Sequence, residues 1–191
     1  MLYYKIEGEV SRVKDRMKSM IYVSLGAVFI TVCSWITVPF AIPFTMQTFG
    51  IFFVLKAFGG KIGGLSIFLH TAMGFIGLPV FSGFNSGISA LLSPTGGYII
   101  GFFLTGTLYF ALQSIFNKNR IIRVAVPYVS LAVCYVLGTV WYMQYISAES
   151  EMGLVSALSI CVFPYIIPDV LKITLAGISA EKLKKSNQAL R

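Results

Sequence analysis

Residues 20–37 read MIYVSLGAVFITVCSWIT, an uninterrupted stretch without a charged side chain. A helix that crosses a lipid bilayer needs roughly 20 predominantly apolar residues, so this stretch is long enough to serve as one span. It follows a basic segment and lacks a small-residue cleavage pattern, which favours a retained span over a cleaved signal peptide. The stretch therefore predicts that the chain is embedded in a membrane.

Apolar runs recur along the whole chain. Only 12% of its 191 residues are charged and its mean hydropathy is +0.82, so a water-soluble fold would have too little polar surface to cover itself. Further apolar runs lie near residues 45–58, 62–77, 95–116, 124–143 and 166–181. We therefore expect an all-α integral membrane bundle of six transmembrane helices, which forms a single domain over residues 1–191.

Basic residues are concentrated at one face of this predicted bundle. Of the 15 Lys and Arg residues, all but Lys172 lie in the termini or in alternate connections between the apolar runs. They fill a juxtamembrane segment at residues 1–19 and a tail at residues 182–191, whereas Glu149 and Glu151 lie in a connection on the opposite side. By the positive-inside tendency, both termini are cytoplasmic.

The net charge of +8 has a membrane explanation. A basic residue near an anionic lipid surface contributes about 1 kcal/mol of attraction. A nucleic-acid-binding protein would instead gather its basic residues on one exposed patch. We therefore expect the lipid bilayer, and no nucleic acid, as the partner of these charges.

Two ionisable residues, Asp169 and Lys172, lie inside the last apolar run. A charge in the bilayer costs on the order of 3 kcal/mol, so such residues usually face a bundle interior or a cavity. Their spacing of three places them on one helix face. Because proline suits a first helical turn, we expect this helix to begin near Ile166 to Pro168, where its dipole favours the nearby carboxylate. An internal ion pair that only orients the helix is the alternative.

A second candidate region is the loop FSGFNSGISALLSPTGGY, residues 81–98. Glycines such as Gly83 and Gly96 let the backbone approach a ligand closely, while Asn85 and several Ser and Thr side chains offer neutral donors and acceptors. The loop has no Lys or Arg and no G-x-x-x-x-G-K pattern, so it suits an uncharged polar group rather than phosphate. Alternatively, it is a tight outer turn whose glycines only permit helix packing.

Other polar residues in the apolar runs point to packing more than to chemistry. His70 has no second His or Cys at ligand spacing, so we expect an interior histidine and no metal site. Gln47 begins the second span in a polar cluster that either caps the helix or lines the same outer cavity. The three cysteines lie apart inside apolar runs, which predicts packing residues rather than disulfides: Cys33, Cys134 and Cys161.

A small-residue stripe, defined as Ser24, Ala27 and Thr31, runs along the first span. Small residues allow helices in membranes to approach closely. Internal packing is the simpler interpretation of the stripe, and a docking face for an external helix is the alternative.

Three separated blocks resemble the BioY family, the biotin-specific S components of energy-coupling-factor transporters. They are IPFTMQTF at residues 42–49, GFIGLPVFSGFNSGISALLSPTGGYIIGF at residues 74–102, and PDVLK at residues 168–172. The resemblance implies high-affinity biotin capture and uptake by a multi-pass protein of the bacterial cell membrane. It further implies docking through the first span onto a transmembrane T component driven by two cytoplasmic ATPase subunits. The chain itself would then be no enzyme and need no cofactor, since ATP is used by the partner subunits.

The resemblance also implies a set of binding residues. The family's polar pocket maps onto Asn85, the glycines around Gly96, Asp169 and Lys172. Gly83 in the loop and Gln47 at the start of the second span are further candidates for the same site. We expect Asp169 and Asn85 to serve the ureido head of biotin and Lys172 to supply positive charge, although these roles could be exchanged. The candidate apolar walls are Phe44, Phe84 and Tyr98.

Two rival functions follow from the same residues. One is an S component for another vitamin, riboflavin or thiamine, against which the loop and PDVLK blocks argue. The other is an intramembrane enzyme that uses Asp169, Lys172 and His70 as acid and base groups, which requires His70 to face the same cavity as the last helix. Neither an H-E-x-x-H nor a G-x-S-x-G pattern supports that enzyme.

Overall fold

A computed structural model describes residues 2–116, 119–147 and 153–189 of the chain. Lys118, Glu149, Glu151 and Arg191, whose charges belong to the asymmetric charge pattern of the sequence, lie outside the described residues. The elements in chain order are α1 (Leu2–Trp35), β1 (Thr37–Val38), β2 (Phe44–Thr45), α2 (Gln47–Phe75), a 3₁₀ turn (Ser82–Phe84), α3 (Gly87–Leu91), α4 (Gly96–Phe116), α5 (Arg120–Ile146), α6 (Leu154–Cys161) and α7 (Phe163–Ala189). Apart from the two-residue antiparallel strands β1 and β2, these elements are helical, which confirms the predicted all-α class.

Helix α2 is a helical hairpin that reverses at Gly59. This glycine has φ +85° and ψ 167°, a conformation that interrupts the helix and that only glycine adopts readily. A Cβ placed on Gly63 would lie 2.8 Å from the Cα of Leu55, although eight residues of continuous helix would separate the two by about 12 Å. Residues 47–58 and 60–75 are therefore two arms, which correspond to the second and third apolar runs.

Long apolar helices dominate the molecule. Within residues 2–116, 119–147 and 153–189, four stretches are long and apolar enough to cross a membrane: Arg12–Trp35, Gln47–Phe75, Ile121–Ile146 and Leu154–Ser186. Gly96–Leu112 forms a shorter apolar helix. The chain is therefore a multi-pass helical membrane protein.

The core lies around α2. Helix α1 packs against α2, which also packs against α4 and α7, while α4 packs against α5. Side chains that meet at these interfaces are fully buried, among them Ile30, Ile51, Phe52, Leu55 and Ile173. Many apolar side chains on the outer faces of the same helices are exposed, as expected where the bilayer is the solvent. Helix α2 thus holds the centre of the bundle.

The start of the last helix differs from the sequence prediction. Helix α7 begins at Phe163, so Pro164 occupies its first turn and Pro168 lies inside the helix. The predicted start near Ile166 to Pro168 is wrong by about one turn, because either proline suits a first turn and the earlier one takes that place. The preceding apolar piece forms the short helix α6, which Val162 separates from α7 with φ −128° and ψ −57°.

Glycines bring α4 and α5 into close contact. A Cβ on Gly101 would lie 2.9 Å from the Cα of Cys134, so the helices approach at a distance that no larger residue permits. A Cβ on Gly138 would likewise collide with the ring of Tyr98. This contact fixes where Tyr98 stands at the start of α4.

Candidate binding site

A cavity lies between the start of α2, the loop after its second arm, and the facing sides of α4, α5 and α7. Its polar lining residues are Thr45, Gln47, Thr48, Ser82, Asn85, Thr95, Asp169 and Lys172. Its aromatic lining residues are Phe81, Tyr98, Phe102, Tyr135 and Tyr165. The cavity therefore combines apolar wall, neutral hydrogen-bonding groups and one charge of each sign, a composition typical of small-molecule sites.

Asp169 and Lys172 form an ion pair on the wall of this cavity. The ammonium Nζ of Lys172 lies 2.9 Å from Oδ1 of Asp169, and the two residues are only 6% and 5% exposed. Burial of an unpaired charge is costly, so each group stabilises the other in its charged form. The expectation that the two residues face an enclosed cavity agrees with this placement.

Both charged groups have additional partners from other elements. The phenol of Tyr135 on α5 donates to Oδ2 of Asp169 at 2.8 Å. Nζ of Lys172 donates to the carbonyl oxygen of Thr45 at 2.7 Å and lies 3.7 Å from the ring centroid of Phe44, within the range of a cation–π interaction. The pair thus ties α7 to α5 and to the segment before α2.

Phe44 and Gln47 lie on either side of Thr45 in the sequence, and of the two only Gln47 lines the cavity. Phe44 contacts Lys172 from beside the cavity and also stacks on Tyr165, with 6.3 Å between the ring centroids. Gln47 lines the cavity directly, and its backbone N–H donates to Oγ1 of Thr45 at 3.1 Å. The polar cluster at the start of α2 therefore lines the cavity, and Thr45 accepts from the first helical N–H, whereas Met46 at the N-cap makes no side-chain cap bond.

The loop between α2 and α4 brings Asn85 to the cavity, where its Nδ2 donates to the carbonyl of Ser82 at 2.9 Å. Gly83 and Phe84 have positive φ angles of 66° and 59°, a strained conformation for phenylalanine. Phe84 is 61% exposed and packs against Trp35, with ring centroids 5.1 Å apart. Gly83 and Phe84 thus shape the loop but do not line the cavity.

Gly96 and Tyr98 have distinct roles at the start of α4. A Cβ on Gly96 would collide with the carbonyl oxygen of Leu91 and lie 3.0 Å from Nε1 of Trp141, so this glycine permits close packing and does not line the cavity. Tyr98 lines the cavity, and its phenol donates to the carbonyl of Cys161 at 2.8 Å. Of these two residues, only Tyr98 is placed to touch a ligand.

His70 lies on the side of Gln47 that faces away from the cavity, and it is 1% exposed. Its Nδ1 lies 3.0 Å from Oγ1 of Thr31, and its Nε2 lies 3.4 Å from Nε2 of Gln47. It is a hydrogen-bonded interior histidine, as predicted, and it is separated from the cavity by Gln47. The rival enzyme, which needs His70 to face the cavity, is not supported by this arrangement.

Metal binding finds no support in the part of the chain that the structure describes. No group of three or more His, Cys, Asp or Glu side chains there could hold a metal ion. The three cysteines are free and buried, which confirms their interpretation as packing residues.

The small-residue stripe of α1 is divided between two environments. Ala27 is 1% exposed and Thr31 is 5% exposed, because both pack against α2, whereas Ser24 is exposed. Internal packing, the simpler interpretation, therefore holds for Ala27 and Thr31. The accessible face of α1 instead carries Ile21, Leu25, Val28 and Val32.

Both charged residues of the site are predictable from the sequence, but two of their partners are not. Tyr135 is one of ten tyrosines, and nothing in its sequence context distinguishes it. The Thr45 carbonyl is a backbone group, so no residue type signals its role. A charge in an apolar run is visible in sequence, whereas the partner that compensates it depends on the tertiary fold.

The chain resembles known proteins over most of its length. The sequence model of the BioY family matches residues 8–189. A protein of Pyrococcus horikoshii named a probable biotin transporter is 34% identical over 85% of this chain and 95% of its own length. The biotin transporter BioY of Thermotoga maritima is 31% identical over 88% of this chain and 97% of its own length.

A solved structure has a similar fold. It is described as the S-component for biotin from an ECF-type ABC transporter, and it superposes with a TM-score of 0.76. The match covers 90% of this chain and 93% of the solved chain at 24% sequence identity. The similarity extends over nearly the whole helical bundle.

Proposed function

The chain belongs to the BioY family, and from this premise we propose that it captures biotin with high affinity as the substrate-binding S component of an energy-coupling-factor transporter. Its relatives are named biotin transporters, and the chain is accordingly a transport protein rather than an enzyme. The observation that carries the proposal is the buried pair of Asp169 and Lys172 on the cavity wall.

The chemistry of biotin matches the groups around this cavity. Biotin has a ureido head with two N–H donors and a carbonyl acceptor, an apolar thiophane ring, and a tail that ends in a carboxylate. Asp169 and Asn85 serve the ureido head, and Lys172 supplies the positive charge. Tyr98 forms apolar wall, and Phe44 contacts Lys172 from beside the cavity. Gly83, Phe84 and Gly96 hold the loop that brings Asn85 to the cavity. Head and tail roles are exchangeable, since Asp169 and Lys172 adjoin each other.

The membrane arrangement that we propose has six crossings in a single domain. They are α1, the two arms of α2, α4, α5 and α7, with both termini cytoplasmic in the bacterial cell membrane. The reversal at Gly59 supports the count, because it divides one long apolar helix into two antiparallel arms. Lys56 and Lys61 flank that reversal, as the positive-inside tendency expects for a cytoplasmic turn.

The partners in this proposal are a transmembrane T component and two cytoplasmic ATPase subunits. ATP is used by those subunits, and the chain needs no cofactor of its own. The apolar accessible face of α1 around Leu25 and Val28, with Ser24 beside it, supports docking through the first helix.

A ligand titration tests the proposed substrate. Detergent-solubilised protein is titrated with biotin, riboflavin and thiamine while the fluorescence of Trp35 and Trp141 is read. Trp141 donates from Nε1 to the Ser93 carbonyl at 3.0 Å and therefore senses the loop beside the cavity. A tight response to biotin alone is expected. A response to riboflavin or thiamine instead would assign another vitamin, and no response to any of the three would contradict vitamin capture.

A further inference from the structure

A chain of three buried polar side chains connects the cavity to α1. Gln47 lines the cavity, His70 stands behind it on the second arm of α2, and Thr31 stands behind His70 on α1. Successive side chains are separated by 3.4 Å between Nε2 of Gln47 and Nε2 of His70, and by 3.0 Å between Nδ1 of His70 and Oγ1 of Thr31. We call these three residues the polar chain.

The hydrogen bonds of the polar chain run in one direction. The hydroxyl of Thr31 donates to the carbonyl oxygen of Ala27 at 2.9 Å, so its only proton is already used. Toward His70 the hydroxyl is therefore an acceptor, and Nδ1 of His70 is the protonated ring nitrogen. In a neutral imidazole the other nitrogen is then an acceptor. Nε2 of His70 consequently accepts from the amide nitrogen of Gln47.

Hydrogen bonds that run in the opposite direction, from Thr31 to Gln47, satisfy fewer polar groups. If Thr31 donated to Nδ1 of His70, the proton of the ring would lie on Nε2, and the Gln47 amide would turn its oxygen toward the ring. That arrangement gives up the bond from Thr31 to the Ala27 carbonyl, leaving two hydrogen bonds where the direction from Gln47 to Thr31 makes three. Buried polar groups favour the arrangement that satisfies more of them. The direction from Gln47 through His70 to Thr31 is therefore the stable one.

We propose that Thr31 and His70 are positioning residues that hold the Gln47 amide with its carbonyl oxygen toward the cavity, as an acceptor for an N–H donor of the ligand. Two observations support this orientation: the amide nitrogen faces His70, and the side chain as a whole lines the cavity. The inference rests on the proposed function, because the N–H donors are those of the ureido head of biotin. A site built to accept from such a group discriminates strongly against analogues that lack it.

The first test reads the proton on His70 without any ligand. The chain contains a single histidine, so protein labelled with ¹⁵N-histidine gives one pair of ring nitrogen signals in an NMR spectrum. We expect a protonated Nδ1 and an unprotonated Nε2. A spectrum with the proton on Nε2 would overturn the proposal. The measurement uses the unsubstituted protein, so it does not depend on whether a variant folds.

The second test interrupts the polar chain at the residue farthest from the cavity. Thr31→Val keeps the shape of the side chain but removes the acceptor of the Nδ1 proton, so the proton should move to Nε2 and the Gln47 amide should turn. Biotin affinity should then fall by about tenfold or more, since an acceptor facing the ligand is replaced by a donor. Thr31→Ser keeps the hydroxyl and should retain both the tautomer and the affinity within about a factor of two.

An N-methylated biotin, which lacks one ureido N–H, completes the test. The wild-type protein should lose affinity for this analogue, and the Thr31→Val variant should lose less, because its acceptor is already turned away. Wild-type affinity for biotin in the Thr31→Val variant, or an unchanged tautomer there, would contradict the positioning role. If the wild-type protein does not bind biotin at all, the proposed function fails, whereas the tautomer of His70 still decides the direction of the polar chain.

Discussion

Lys172 illustrates how a buried ammonium group is compensated in this protein. It contacts a carboxylate, a backbone carbonyl and an aromatic face, each contributed by a different residue. The carboxylate of Asp169 is in turn held by Tyr135. Because the two charged groups compensate each other, the loss of either one leaves the other buried without a charged partner.

We therefore predict that single substitutions of the ion pair are more damaging than the double substitution. Lys172→Met or Asp169→Leu alone leaves one buried charge without its partner and should cost about 3 kcal/mol or more of stability. The double variant leaves no such charge and should unfold at a higher temperature than either single variant. Thermal unfolding of the detergent-solubilised proteins measures this order. A double variant less stable than both single ones would show that the charges do not compensate each other.

Tyr135 gives a second prediction at the scale of the residue. Tyr135→Phe removes only the hydroxyl that donates to Asp169, so the carboxylate loses a charge-assisted hydrogen bond worth about 1.5–3 kcal/mol. If Asp169 meets the ligand, biotin affinity should fall by about tenfold.

A matched control lies on the same helix. The phenol of Tyr128 contacts Oγ1 of Thr174 at 3.4 Å, and Tyr128 does not line the cavity. Tyr128→Phe should therefore leave biotin affinity unchanged. Equal losses in the two variants would mean that the effect of Tyr135→Phe is not specific to the site.

At the level of elements, the reversal of α2 depends on one glycine. A Cβ on Gly59 would meet nothing within 4 Å, so space is not the constraint there. Its φ of +85° is the constraint, since a side chain in this region costs on the order of 1–3 kcal/mol of backbone strain.

We predict that Gly59→Ala lowers the unfolding temperature of the purified protein, because strain is added without any new contact. Gly153→Ala is the control: a Cβ there also meets nothing within 4 Å, and its φ of −68° suits any residue. This control variant should unfold like the wild type. Equal stability of Gly59→Ala and the wild type would indicate that the reversal tolerates a side chain.

The long helices could be predicted from the sequence, for reasons visible in particular residues. The apolar runs predicted the long helices, and the separate runs at residues 45–58 and 62–77 correspond to the two arms of α2. The strands β1 and β2 escaped prediction because two residues are too few to show a periodic pattern. The first residue of α7 was misplaced because Pro164 and Pro168 carry the same local signal.

Asp169 and Lys172 were predictable because their charges lie in an apolar run, whereas Asn85, Gln47 and Tyr98 were predicted from polar or loop segments and from the resemblance to the family. Asp169, Lys172, Asn85, Gln47 and Tyr98 were expected at the site, and the cavity brings them together. For Phe84 the sequence indicates a loop but not which side of that loop the ring covers. The contact of Phe84 with Trp35 on α1 depends on a packing between elements distant in sequence.

For the whole molecule, the proposed topology predicts a labelling pattern. The native cysteines are buried, so they should react little with a membrane-impermeant thiol reagent. Phe84→Cys, on the outer loop, should label in intact cells. Lys185→Cys, on the exposed part of the tail, should label only after the cells are permeabilised. Labelling of Lys185→Cys in intact cells would contradict cytoplasmic termini.

The reversal at Gly59 also bears on how far a captured molecule must travel. The first arm of α2, residues 47–58, rises about 18 Å, whereas the hydrocarbon layer is about 30 Å thick. In the proposed arrangement, with the reversal at the inner boundary and the arm along the membrane normal, the top of this arm, where Gln47 meets the cavity, would lie some 12 Å beneath the outer boundary. A molecule bound at that depth would have about 18 Å left to the cell interior, little more than half of the membrane's thickness.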